Sequence, residues 1–142
     1  MVITMALMAD MQQILRQLVS DTPGIGGAAT VSSDGLVLAS VLPVGSDEDH
    51  VSAMGAALLT LGERSVRELQ LGSIEQVLVK GQGGYFVIVR VDDEVMLEAM
   101  TGSEAKLGMV LLGMKRAVEE LTRQTPVARV IASPIDRARM VR

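Results

Sequence analysis

The segment Tyr85–Val91, YFVIVRV, constrains this chain more than any other. It is a nearly continuous apolar run, bounded by Gly81-Gln-Gly-Gly84 before it and Asp92-Asp-Glu94 after it. An apolar run of this length between turn signals predicts a strand covered on both faces. Connections this short join antiparallel neighbours, because a parallel crossover needs a dozen or more residues. Further strands are predicted on either side, at Ile74–Lys80 and Val95–Met100. A second pair, about Gly27–Ser33 and Leu36–Val41, is joined through Asp34-Gly35, a hairpin signal that calls for positive φ at both central residues. Five short strands joined by tight turns imply one largely antiparallel sheet.

Three helices complete the pattern. Met8, Met11, Ile14, Leu15 and Leu18 recur at helical spacing within residues 5–20, and Pro23-Gly24 ends that helix. The last helix opens at Ser103-Glu104 and carries a stripe of Leu107, Val110, Leu111, Met114, Val118 and Leu121. The middle helix starts at Ser46-Asp-Glu-Asp49, with a capping residue and acids in its first turn, and runs to about Gln70 before Leu71-Gly72-Ser73. It carries two apolar stripes, and one helix on one sheet needs a single stripe. Val51, Met54, Leu58, Leu61 and Ser65 are expected to face the sheet. Ser52, Gly55, Ala56, Leu59, Gly62 and Val66 are expected to meet a second helix, and Thr60, Glu63, Arg64, Arg67 and Glu68 form the remaining charged face. Strand Ile74–Lys80 supplies apolar groups to both of its faces and is a hazard at a sheet edge unless something pairs with it. Edge pairing of two copies, with their second helices meeting above, satisfies both features. The pattern therefore predicts a two-fold homodimer using the small-residue stripe together with Ile74, Gln76 and Leu78.

The same residues exclude several classes of function. The chain has 142 residues, 49% of them hydrophobic, enough for one domain with a real core and too apolar for a disordered protein. The uncharged runs Gly35–Ser46 and His50–Gly62 fall short of the roughly 20 apolar residues of a spanning helix. The opening MVITMALMAD lacks a basic region and a cleavage site, so the expectation is a cytoplasmic protein without membrane insertion. Residues 123–142 carry five arginines against Asp136, a net of +4, which leaves −8 on residues 1–122 of the −4 total. An acidic body with Tyr85 and Phe86 as its only aromatics argues against nucleic acid as a partner. The domain is expected over residues 1–121, followed by a basic, flexible tail over 122–142.

Chemistry of its own finds little support. Without Cys and with His50 as the sole histidine, the chain lacks the donors of a zinc site, and no cofactor or metal is expected. Pro23-Gly-Ile-Gly-Gly27 lies after a helix and before a strand, the reverse of a dinucleotide loop, and no P-loop motif occurs. Ser32 and Asp34 have no base tied to them. Neither Asp47-Glu48-Asp49 nor Asp92-Asp93-Glu94 has the spacing of a calcium loop. No catalytic residue is assigned, and the chain is read as not an enzyme.

Taken together, the helix ending in Pro-Gly-Ile-Gly-Gly, the hairpin VSSDGLVLAS, the helix MGAALLTLGERSVREL, the strand pair IEQVLVKGQGGYFVIVRV and the closing helix SEAKLGMVLLGMKRAVEEL resemble the Roadblock family of dynein light-chain relatives, and within it the bacterial MglB type. The resemblance covers about residues 8–121. It implies an α+β, profilin-like layered fold, a five-stranded mainly antiparallel sheet with the second helix on one face and the first and third on the other. It also implies a homodimer that regulates a Ras-like small GTPase without binding nucleotide itself, modulating hydrolysis or nucleotide state. On this sequence the GTPase-binding residues implied are Thr60, Glu63, Arg64, Arg67 and Glu68, with the two arginines as docking contacts rather than an arginine finger. The alternative it leaves open is a dimeric scaffold in a sensor–GTPase complex with no effect on hydrolysis.

Overall fold

A computed structural model describes residues 5–124. Helix α1 (Met5–Asp21) leads into strands β1 (Ile25–Ser32) and β2 (Val37–Val41). Helix α2 (Glu48–Glu68) follows, then β3 (Val77–Gly81), β4 (Gly84–Arg90), β5 (Val95–Thr101) and helix α3 (Leu107–Gln124). The strands form one sheet in the order β2-β1-β5-β4-β3, every neighbouring pair antiparallel. The residues expected in a tail at 122–124 belong to α3, and the rest of that expectation lies outside the described residues.

Alternation along the strands divides the core into two unequal layers. Val95, Leu97 and Ala99 of β5 point to one face, where Met11, Leu15 and Leu18 of α1 and Val110, Met114 and Leu121 of α3 close over them. Met96 points to the other face, where Ala29, Val31 and Ile88 meet Ala56, Leu59 and the half-buried Leu58 of α2. The expected distribution of helices, α2 against α1 and α3, is the one observed.

The turns differ in detail from the expectation. At the β1–β2 hairpin Gly35 has φ 86° while Asp34 stays at negative φ. Gly35 N–H donates to Ser32 O at 2.9 Å, and the register slips between Thr30 and Val31. A turn centred on Ser33-Asp34 followed by a left-handed glycine therefore replaces the two-residue turn, which asks less of Asp34. The polar Ser-Ser-Asp-Gly segment turns the chain, and Ser33 fastens that turn to the β4–β5 turn by donating to Asp93 O at 2.9 Å. Pro23-Gly-Ile-Gly-Gly27 is likewise the α1–β1 turn, with Gly24 at φ 97°.

Helix α2 is capped at both ends. Asp47 accepts the His50 N–H at 3.1 Å, with Glu48 and Asp49 in the first turn. At the other end Gln70 takes φ 59°, its N–H donating to Arg67 O and that of Leu71 to Val66 O at 2.8 Å. This is the paired-bond stop usually built on glycine, here one residue before the Leu71-Gly72-Ser73 breaker. Strand β3 begins at Val77 rather than Ile74, because its ladder with β4 starts at Val77↔Ile88. Ile74 instead turns its side chain against Gly62. Helix α3 starts at Leu107 rather than Ser103, after a turn closed by Ala105 N–H to Gly102 O.

The two sheet edges are unlike. On β2 the Gln12 side chain from α1 donates to Ser40 O at 2.6 Å and accepts the Ser40 N–H at 3.2 Å, filling both backbone groups of that residue. On β3 the outer edge is uncovered, and Leu78 and Val79 are about 40% exposed.

Candidate functional site

The outer face of α2 and the neighbouring β3 edge form the surface on which most of the sequence expectations converge. The stripe of α2 that faces the sheet is mainly the one expected to meet a second helix, although Leu58 of the other stripe packs against the sheet as expected. Ser52, Gly55, Ala56 and Leu59 face the sheet and are buried, while Met54 and Leu61 stand in solvent at 43% and 60% exposure. Gly62 and Val66 are half-buried, and a Cβ on Gly62 would press on Ile74 and Val77. The predicted interface residues on α2 are thus largely occupied within the single chain. Both stripes have helical spacing, so periodicity could not choose between them; the residue opposite did.

That residue is Glu98. It lies at the centre of the sheet on β5, paired with Ala29 and Ile88, and its carboxyl lies against the Gly55 backbone, where any Cβ would overlap it. Only a stripe of small residues can sit over a carboxyl group. Neither Glu98 oxygen nor the Ser52 hydroxyl has a hydrogen-bond partner among the described residues. Burial pushes the Glu98 carboxyl up to about 8, because desolvation disfavours its ionised form. Its sequence signal is a lone acid in the apolar run VMLEAM.

The charged residues of α2 fall into separate settings. Glu63 accepts two bonds from Arg90 of β4, at 2.7 and 3.1 Å. Arg90 also donates to the carbonyls of Asp92 and Asp93 and to Ser33 Oγ, tying α2 to both turns at that end of the sheet. The lone arginine in YFVIVRV is the sequence trace of this hub. Arg64 pairs with Glu68 at 2.6 Å in an exposed contact of small energetic weight. Thr60 Oγ1 donates to Ala56 O. The Arg67 guanidinium has no hydrogen-bond or ion-pair partner among the described residues, and it lines an open cleft of about 830 Å³ with Glu63, Arg90, Asp92 and Asp93. Thr60 and Arg64 line a shallower groove floored by Ala53, Ala56 and Ala57 beside the Asp34-Gly35 turn. Met54 and Leu61 form an exposed crest on the solvent side of the helix, Leu61 at the rim of this groove. Gln76 and Leu78 lie toward the α1 and α3 side of the sheet, and Val77 and Val79 toward α2. His50 is exposed, and no group of residues able to hold a metal occurs among the described residues.

The Roadblock/LC7 domain profile matches residues 11–101, which span all five strands and α2. The chain belongs to the Roadblock/LC7 family. Among related proteins, the uncharacterized protein MJ1340 of Methanocaldococcus jannaschii is 35% identical over 100 residues, 70% of this chain and 87% of that protein. Among solved structures, Myxococcus xanthus MglB superposes with a TM-score of 0.79 at 16% identity, covering 89% of this chain and 96% of MglB. Profilin IA of Acanthamoeba castellanii superposes with a TM-score of 0.55 at 12% identity, over 80% of this chain and 98% of the profilin. The MglB-type resemblance and the profilin-like Roadblock fold both hold. None of the helices among the described residues is long and apolar enough to cross a membrane.

Proposed function

We propose that this Roadblock protein is a homodimeric, non-enzymatic regulator of a Ras-like small GTPase. One observation carries the reading: an exposed apolar crest on α2, Met54 and Leu61, lies beside an uncovered β3 edge bearing Leu78 and Val79. A bare strand edge next to exposed leucine, methionine and valine is a surface built to be covered by protein. A second copy pairing along β3, with Ile74 and Gln76 at its end, brings two α2 helices together over the joint. Thr60 and the charged residues Arg64, Arg67 and Glu68 then border the crest and serve as the GTPase contacts. Glu63 contributes indirectly, as the anchor of Arg90. Membership of the Roadblock family and the fold likeness to MglB support the choice of a small GTPase as partner.

Arg67, lacking an internal partner, is the first docking contact, and Arg64 must leave Glu68 to join it. Neither is assigned a role at the reacting phosphate. The dimer is tested by solution mass from light scattering for the wild type and Leu61→Glu. Leu61 is the informative position because Leu59 is fully buried and its replacement would unfold the chain. A wild-type mass near twice 15.1 kDa that halves in the variant is expected. A wild-type monomer overturns the homodimer. For the partner, Arg64→Ala/Arg67→Ala is expected to weaken GTPase binding and stimulated hydrolysis together. Intact binding with lost stimulation would overturn docking in favour of a catalytic arginine, and binding without stimulation in the wild type would make the protein a scaffold.

A further inference from the structure

The layer that holds α2 to the sheet is thin and contains a flaw. Leu59 and Ala56 are its main apolar contacts from the helix side, against Ala29, Val31, Ile88 and Met96. In the middle of this patch sit three polar atoms with no partner, the two Glu98 oxygens and Ser52 Oγ. Glu98 is 1% exposed and Ser52 fully buried. The residues packed around the carboxyl supply no charge: Ala29 and Val31 from β1, Ile88 and Phe86 from β4, Met96 and Met100 along β5, and Ser52, Gly55, Ala56 and Leu59 from α2. The nearest charged groups of that face, Arg90 and Glu63 toward its end, are engaged with each other. A carboxyl group in such a place can stay only while neutral, because an ion there would have neither solvent nor a counter-charge. The opposite face is covered by two helices over a much larger apolar core, so ionisation strains α2 and not α1 or α3.

We propose that Glu98 is a proton-operated latch for α2: with its proton the helix lies flat on the sheet, and without it the helix lifts to let water reach the carboxylate. The latch acts on the helix assigned to docking and to pairing of copies, so its regulatory meaning rests on that assignment. Loss of the proton loosens the platform a partner would grip. Burial that pushes the carboxyl up to about 8 sets the latch to begin working just above neutrality. Gly55 is the complementary part, since it alone lets the helix close over the group.

Hydrogen exchange of the full chain, followed by mass spectrometry between pH 6 and 8, tests this without any partner. Amide exchange itself quickens about tenfold per pH unit, and a helix whose opening releases one proton gains about another tenfold. Peptides from Val51–Gly62 are expected to quicken about 100-fold per unit in the wild type, and α1 amides that exchange through local openings, with Glu98 still covered, about tenfold. In Glu98→Gln, α2 is expected to fall back to the tenfold slope. Gly55→Ala, which crowds the carboxyl, is expected to speed α2 exchange at pH 6 while leaving α1 unchanged. A common slope for α2 and α1 overturns the latch, whether shallow or steep, as does an unaltered slope in Glu98→Gln. The dimer mass measurement stands apart, so failure of the docking assignment and failure of the latch are distinguishable.

Discussion

Replacing Glu98 by Gln should make the protein more stable at neutral pH and remove most of its dependence on pH. In the folded chain the carboxyl keeps its proton up to about 8, against 4.5 in a solvated setting. Between those values the folded state binds more protons than the unfolded state, so stability falls as pH rises, by about 1.4 kcal/mol per unit. Below 4.5 both states are protonated and the effect vanishes; above 8 both are ionised and it levels off. From pH 5 to pH 8 the loss comes to about 3.5 kcal/mol, a large part of the roughly 5–15 kcal/mol a domain has to spare. Gln has nearly the same shape, stays neutral throughout, and donates as the protonated acid does. Urea unfolding at pH 5 and pH 8, followed by circular dichroism, measures the difference. With a slope of about 2 kcal/mol per molar urea, the wild-type midpoint should drop by roughly 1.5 M or more across that interval while the variant moves little. At pH 5 the two proteins should lie within about 1 kcal/mol of each other. Parallel midpoints for the two proteins across the interval would refute the reasoning, since they would mean that the carboxyl finds a partner or solvent in the folded chain.

Three other outcomes follow from particular contacts. Gly55→Ala should cost about 1–3 kcal/mol despite the better helix former, and in a Glu98→Ala background the same change should turn neutral or stabilising, which a double-mutant cycle by thermal or urea unfolding reads directly. Gln70→Gly should raise the melting temperature by a few degrees, corresponding to about 0.5–1 kcal/mol, because the left-handed stop of α2 is held by a side-chain-bearing residue. Arg90→Ala should lose about 1–3 kcal/mol by leaving Glu63 and the Asp92 carbonyl without their donor, and calorimetry should show Glu63→Gln losing less, since Gln can still accept from Arg90.

How much of this was legible in the sequence varies with the range of the interaction. Turn residues and apolar runs act locally, so the five strands, the three helices and the two-sided layering could be read from Asp34-Gly35, Gly81–Gly84 and the stripes of α1 and α3. The rotation of α2 could not. Its stripes are equivalent in spacing, and the choice was made by Glu98, more than thirty residues away, through the space that only Gly55 leaves. The end of α2 was displaced by a glutamine in a conformation that favours glycine, which no local rule proposes. Thr60, Arg64, Arg67 and Glu68 are exposed, but Glu63 is drawn off by Arg90, a partner on β4 that no local pattern pairs with it. Local order is thus written in short words, and the site in the distances between them.

Gln12 sets a limit on growth. A sheet with two open edges is a link in a chain that need not end, each copy offering one edge and accepting on the other. By clasping the backbone of Ser40, the amide of Gln12 withdraws part of the β2 edge from that exchange and leaves the protein with one free valence, at β3. When two such molecules pair edge to edge, the new sheet is terminated at both ends by the same glutamine, and the assembly is finite by construction. A single side chain on the first helix, remote from every surface assigned to a partner, therefore separates a molecule that can close on itself from one that could polymerise.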